Sequence, residues 1–140
     1  LQEPEFWKKY FRTMEEQIVL NPEFWFETKK IGGGAVPLET PDGWLFIYHA
    51  VEEATGIYRA GAALLDLDDP RRVVGRLKEP LFSPAEEWEK RGLVDNVVFP
   101  SAALVRDGRL WIYYGAADSL IAAKSLDLDK LLAVLKMTPL

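Results

Sequence analysis

Two stretches of this chain follow one pattern, and a chain that repeats a strand pattern can adopt only a few architectures. Gly43-Trp44-Leu45-Phe46-Ile47-Tyr48-His49-Ala50 aligns on Gly108-Arg109-Leu110-Trp111-Ile112-Tyr113-Tyr114-Gly115 at a constant spacing of 65 residues. Asp66-Leu67-Asp68 aligns on Asp127-Leu128-Asp129 at 61, so the hairpin loop of the second unit is four residues shorter. Each copy opens on Asp-Gly, a tight-turn dipeptide, and runs on through aromatic and aliphatic residues, which is strand chemistry. Several antiparallel strands recurring at roughly 50 to 65 residues fit propeller blades, four-stranded sheets set around an axis. The alternative is two unrelated hairpins with a common turn, and the second matched segment argues against it. The expected fold class is all-β: about two four-stranded antiparallel blades of a partial propeller, with an N-terminal helix and a short C-terminal helix. Two blades cannot close a ring. Edge strands and one blade face stay uncovered, so the chain is expected either to belong to a longer polypeptide or to assemble.

The rest of the chain fills in around that repeat. Phe6, Trp7, Tyr10, Phe11 and Met14 fall on one helical face, which predicts a helix over 4–17 with its aromatic stripe packed into the core. Residues 1–17 are read as a helical segment and 18–140 as the blades. Ile18-Val19-Leu20 is a short apolar run closed by Asn21-Pro22, and Trp25 suits either sugar or core. Strands are expected near 43–50, 57–66, 97–105 and 109–116, with a short outer strand over 71–76. A polar loop follows from Glu79 past Trp88 to Gly92, and a closing helix spans 128–135.

Composition removes several functions. With 49% hydrophobic residues over 140, the chain can bury a real core. It has no cysteine and one histidine, which excludes disulfides, thiolate nucleophiles and cysteine or histidine-rich metal centres. A net charge of -5 without a basic run argues against nucleic acid. No stretch approaches the roughly 20 apolar residues that span a bilayer, so no membrane partner and a cytoplasmic setting are expected. The first residue is Leu1, not Met, which leaves room for a preceding region.

Chemistry concentrates between Lys30 and Ala50. Lys30-Ile31-Gly32-Gly33-Gly34 places a cation before three glycines, which let a ligand approach the main chain, and the next strand delivers His49 to its far end. A cation at each end could clamp one oxyanion. Taken singly, Lys30 reads equally as a solvated surface lysine, and His49 more readily as a satisfied core histidine. No Gly-Lys-Ser/Thr follows Gly34, so this is not a nucleotide P-loop. A calcium loop from Asp66 would need Gly at Arg71 and Glu at Leu77.

Lys30 to Pro37, Gly43 to His49, Tyr58 to Pro70, Asn96 to Pro100 and Tyr113 to Asp118 together resemble, in order and spacing, the C-terminal part of glycoside hydrolase family 130. The resemblance covers roughly residues 18 to 135. It implies a five-bladed propeller that cleaves β-mannosides with inorganic phosphate and inverts the anomeric centre, giving mannose 1-phosphate. It implies Lys30 and His49 as phosphate ligands, alongside arginines from earlier blades, and Tyr58, Asn96, Phe99 and Asp118 at the sugar subsites; Phe99 reads equally as core. Partners are then a β-mannoside oligosaccharide and phosphate as co-substrate, with no cofactor and no metal. Hydrolytic relatives lack the lysine and histidine pair, so a mannosidase using water is disfavoured, and a non-catalytic carbohydrate-binding or assembly module is the other alternative. The sequence departs from the family at Asp95, where proline is common. The family's general acid lies in a Glu-Asp-Pro-Arg type motif on an early blade. Asp68-Asp69-Pro70-Arg71 looks like it but aligns with a blade-connecting segment, so no catalytic residue is assigned and the chain alone is expected to be inert.

Overall fold

The computed structural model describes residues 4–138, so Leu1 to Glu3 of the expected helical segment and the last two residues of the expected blades lie outside the described residues. Along the chain come α1 (Pro4–Arg12), β1 (Lys30–Gly33), β2 (Leu38–Thr40), β3 (Gly43–Val51), β4 (Tyr58–Leu65), β5 (Val73–Arg76), α2 (Glu87–Lys90), β6 (Val98–Arg106), β7 (Arg109–Ala116), β8 (Leu120–Asp127) and α3 (Leu128–Lys136). Every strand pairing is antiparallel. The first sheet runs β1-β3-β4-β5 with β2 also on β3, and the second runs β6-β7-β8. The first therefore has the four-strand path expected of a blade plus one extra short strand, and the second has three strands among the described residues.

β3 is buried almost throughout because both of its faces are covered. On its front, Leu45 and Ile47 join Ala62 and Leu64 of β4 against Leu110 and Ile112 of β7 and three leucines of α3. Each large aliphatic side chain so removed from water contributes about 1.5 to 3 kcal/mol. On its back, Tyr48 and Ala50 meet Phe26, with Val19, Leu20 and Phe24 partly buried around them. Front thus packs on back, sheet after sheet. Two glycines mark the closest approaches. A Cβ on Gly61 would lie 2.6 Å from the Tyr48 hydroxyl, and one on Gly75 would strike the Leu135 carbonyl where α3 lies on β5.

Several expectations need correction. The helix over 4–17 ends at Arg12 and continues as a 3-10 turn over Met14–Gln17. Its aromatic stripe is not core: α1 has no buried residue, and Phe11 is 65% exposed. Helical periodicity identifies an apolar face but not the surface that would cover it. Val73–Arg76 is the outer strand, shorter than expected, and the polar loop contains α2. Lys30 to Gly33, read in the sequence only as a cation before glycines, form edge strand β1.

The repeat register also moves by one residue. Turn residues 41 and 42 precede β3, whereas Asp107 and Gly108 precede β7, so the equivalent strands begin at Gly43 and Arg109, 66 apart. The partners agree: Tyr48 lies opposite Gly61 and Tyr114 opposite Ala122, which keeps β4 and β8 at 61. A single step in a strand turns every side chain to the other face, so the sequence alignment at 65 paired fronts with backs.

Candidate functional site

The candidate site forms where the C-terminal end of β3 meets the start of β6. Lys30 pairs with Val51 and Val51 with Tyr58, which lines these residues up across β1, β3 and β4. Gly32 pairs with His49, so Lys30 and His49 share a face. Gly32 is required there, since a Cβ would sit 2.6 Å from His49 Nε2; the glycine admits the imidazole ring. The Lys30 ammonium lies 5.2 Å from the centre of the Tyr58 ring. Phe99 of β6 stacks on His49, ring centres 4.2 Å apart at 28°.

Tyr58, Phe99 and Asp118 line one cleft of about 190 Å³, together with Val94, Val97 and Gly115. Its floor joins the two sheets: the Tyr58 amide donates to the Asn96 carbonyl at 3.0 Å, and Tyr58 bridges to Val97. Asn96 does not line this cleft. Its backbone holds the strand entry in a left-handed conformation (φ 59°), which asparagine tolerates. Asp118 is placed by the β7–β8 turn, where Ala117 and Asp118 both take positive φ and Ser119 N–H donates to the Ala116 carbonyl. That is a type I′ hairpin turn, strained for alanine by about 1 kcal/mol.

The electrostatics are asymmetric. Burial lowers the His49 pKa below its ordinary 6.5; a backbone hydrogen bond at Gly33 opposes this and the Lys30 charge reinforces it. The free imidazole is therefore neutral at pH 7, and its Nδ1 is buried without a hydrogen-bond partner. Among the described residues no carboxylate forms an ion pair with Lys30. Lys30, without a carboxylate partner, and His49, with spare bonding capacity, thus share one face of the first sheet; neither lines the cleft itself, and they adjoin it through Tyr58 and Phe99.

The acidic turn after β4 is engaged elsewhere. Asp66 accepts the amides of Asp68 and Asp69 and pairs with Arg72, and Asp69 holds Arg71 at 2.9 and 3.1 Å. Hydrogen bonds from Arg72 and Arg71, first among several causes, lower the pKa of Asp66 and Asp69 respectively. Groups so held are poor proton donors at neutral pH. Among the described residues no three acidic or histidine side chains converge on a point that could hold a metal, and no helix is long and apolar enough to cross a membrane.

Sequence reasoning missed Val94, Val97 and Gly115, small and aliphatic residues that carry no chemical signature and become cleft walls only once the sheets meet. It also missed a buried cluster behind the site, Glu27, Tyr48 and Arg76, where Arg76 Nη2 contacts both Glu27 carboxylate oxygens at 2.8 Å. Its signal was present: Pro22 and Glu27 recur as Pro84 and Glu89.

A family model described as beta-1,4-mannooligosaccharide phosphorylase matches residues 7–137. The chain is 44% identical over 107 residues to a 1,2-beta-oligomannan phosphorylase of Thermoanaerobacter sp., covering 76% of this chain and 36% of that protein. It is 40% identical over 126 residues to a beta-1,4-mannooligosaccharide phosphorylase of Ruminococcus albus, covering 87% and 38%. Among solved structures, the beta-1,2-mannobiose phosphorylase of Listeria innocua in complex with beta-1,2-mannobiose superposes with a TM-score of 0.77 at 37% identity, covering 84% of this chain and 33% of that one. The chain spans about a third of the length of these relatives, which agrees with the C-terminal part identified from its motifs. With sequence and fold in agreement and the family model matching residues 7–137 of the 140, this chain belongs to glycoside hydrolase family 130.

Proposed function

We propose that this chain supplies the lysine and histidine half of a phosphate site, and one wall of a sugar site, in the inverting phosphorolysis of β-mannosides to mannose 1-phosphate. The observation that carries this reading is the cross-strand register that sets Lys30, His49 and Tyr58 on one face beside the cleft. In that reaction a phosphate oxygen bonds to the anomeric carbon from the face opposite the leaving group. The bond to the leaving sugar oxygen breaks, and an acid protonates that oxygen. Lys30 and His49 are assigned to the anion; Tyr58, Asn96, Phe99 and Asp118 to the sugar. The acid is assigned to no residue here, because Asp66 and Asp69 are held by arginines. Residues 18–140 would act as the blade portion of a cytoplasmic enzyme, needing phosphate as co-substrate and no cofactor.

His49 is the only histidine, so its ring signals report the site directly by NMR. Without phosphate its titration midpoint is expected below 6.5, because burial opposes the charged form. A bound dianion stabilises imidazolium, so saturating phosphate should raise the midpoint by roughly one unit, about 1.4 kcal/mol of differential interaction. Lys30→Ala should reduce that response. A midpoint indifferent to phosphate would refute the assignment and leave hydrolysis by water as the better reading. In a parallel assay, β-mannobiose and phosphate should yield no mannose 1-phosphate with these 140 residues alone; product would mean that an acid is present among them.

A further inference from the structure

The cleft wall opposite Tyr58 is built from two pieces of chain that are distant in sequence. Val94 and Val97 come from the segment entering β6, and Asp118 from the turn between β7 and β8. Hydrogen bonds fasten the two together. The Val94 amide donates to the Ala117 carbonyl at 3.1 Å, and the Ala117 amide donates to the Val97 carbonyl at 3.0 Å. Ser119 adds a side-chain bridge: its Oγ accepts the Leu93 amide at 2.8 Å and donates to the Ala117 carbonyl at 3.0 Å. That carbonyl therefore serves two donors, as its two lone pairs allow. It belongs to the turn whose positive φ at Ala117 and Asp118 aims the aspartate.

The segment is shaped to lie on this turn. A Cβ on Gly92 would sit 2.4 Å from the Ala117 carbonyl oxygen and 2.5 Å from Ser119 Oγ, so only glycine allows the approach. Asp95, which stands where proline is common in the family, accepts the Gly92 amide at 3.1 Å, and the Asn96 amide donates to the Lys90 carbonyl at 3.1 Å. A hydrogen bond here closes the bend that a proline ring would stiffen. All these partners belong to the second sheet and the segment entering it.

Burial cannot hold the wall, because Val94 is 46% exposed and Asp118 is exposed as well. An apolar side chain for a sugar's carbon face and a carboxylate for its hydroxyls bind one ring together only at a set separation. Fixing that separation beforehand removes an ordering cost from binding. We propose that Ser119 is a positioning residue of the sugar wall: its hydroxyl clamps the Gly92 to Val97 segment to the β7–β8 turn and so sets Val94 against Asp118 for a hexopyranoside. This rests on the assignment of the cleft to the sugar, and it is independent of the phosphate assignment.

NMR of the isotope-labelled 140-residue chain tests it, with methyl β-mannoside as the probe and inorganic phosphate as the control. Without ligand, Ser119→Ala should speed hydrogen exchange of the Leu93 amide up to roughly tenfold, since one hydrogen bond is lost. The dissociation constant for the mannoside should rise roughly three- to tenfold by the same loss. Ser119→Thr keeps the hydroxyl and should restore both. Gly92→Ala lifts the segment off the turn by another route and should weaken the mannoside more than Ser119→Ala does. The response of His49 to phosphate should be unchanged in all three variants. A freed Leu93 amide with unchanged mannoside affinity would overturn the clamp alone and leave the sugar assignment standing. Wild-type cleft amides that ignore the mannoside would overturn the sugar assignment and the clamp with it. Unchanged Leu93 exchange in Ser119→Ala, failure of Ser119→Thr to restore binding, or an altered phosphate response would each overturn the clamp as well.

Discussion

Behind each sheet of this protein lies the same polar device, and the two versions differ in one component. In the first, Glu27 accepts the amides of Glu23 and Phe24 and the Tyr48 hydroxyl. In the second, Glu89 accepts the amides of Ala85 and Glu86 and the Tyr114 hydroxyl. Both glutamates are fully buried, and each ties the segment entering its sheet to the central strand. The cation differs. Arg76 comes from outer strand β5 and is 1% exposed, whereas Lys124 comes from β8 and keeps 32% of its side chain in solvent. Lys124 lies opposite Ile112, the place that Ala63 holds in the first sheet beside Arg76. With no β5 equivalent among the described residues of the second sheet, the charge is supplied from one strand further in. A carboxylate with three fixed donors thus accepts a cation from either strand, provided that the charge is met where it is buried.

Removing the carboxylate should separate the two versions most sharply. Glu27→Ala strands a guanidinium that cannot reach water, left with the Asn21 carbonyl, the Tyr48 hydroxyl and a 3.7 Å contact with exposed Glu23. Breaking a buried pair on one side costs about 3 to 5 kcal/mol. Glu89→Ala frees Lys124 to turn outward, so its loss is mainly that of the segment's hydrogen bonds, about 1 to 3 kcal/mol. Urea unfolding of both variants decides this. Equal losses would mean that the cation's burial contributes nothing and that the two versions are energetically one.

The residue facing each tyrosine gives a second, smaller contrast. Gly61 leaves room for the Tyr48 ring, while Ala122 sits opposite Tyr114. Gly61→Ala must therefore push the Tyr48 ring off Glu27 and Arg76, at about 1 to 3 kcal/mol. Ala122→Gly should cost no more than about 1 kcal/mol, as expected of a strand glycine. Thermal unfolding would blur the distinction only if Tyr48 can shift without losing its hydrogen bond.

The same pair of regions shows how far the sequence could be read. The strands and their hairpins were legible, because Asp-Gly turns and apolar runs act locally. The register between repeats was not: the turn before β3 uses Pro41-Asp42 where the second uses Asp107-Gly108, so matching Asp-Gly to Asp-Gly shifted the alignment by one. That slip set His49 against Tyr114, when its counterpart is Gly115, and it hid the matched tyrosines. Lys30 and His49 were readable as a pair because three glycines and a strand end are sequence features. Val94 and Val97 were not, since a cleft between two sheets belongs to neither sheet alone. The exposed stripe of α1 was misread for a related reason: a pattern states what is apolar, and only a neighbour states what is covered.

Lys124→Met should have a modest effect at neutral pH and the clearest effect in acid. Burial raises the Glu89 pKa, but hydrogen bonds from Lys124, from Tyr114 and from the amides of Ala85 and Glu86 outweigh it and hold the group at about 2, against an ordinary 4.5. A carboxyl whose folded pKa is depressed lends stability above its unfolded pKa and loses it as pH falls through the folded one. This contribution is therefore complete above about pH 4.5 and gone near pH 2. Methionine keeps the side chain's bulk beside Phe82 and Tyr114 but removes the first of the lowering causes, leaving burial opposed by the tyrosine and two amides. At pH 7 the expected loss is about 1 to 2 kcal/mol, since Glu89 keeps three donors and the lysine was partly solvated. In acid, the Glu89 pKa moves up, so unfolding should set in at higher pH than in the wild type. Arg76→Met in the first sheet should instead lose several times more at pH 7, because it removes a guanidinium bound through both carboxylate oxygens in a site closed to water. Acid titrations of the two variants followed by tryptophan fluorescence compare them directly. An acid midpoint unchanged in Lys124→Met would show that the three remaining donors alone hold Glu89 ionised, and that the cation in both sheets is an accessory to the tyrosine and the backbone.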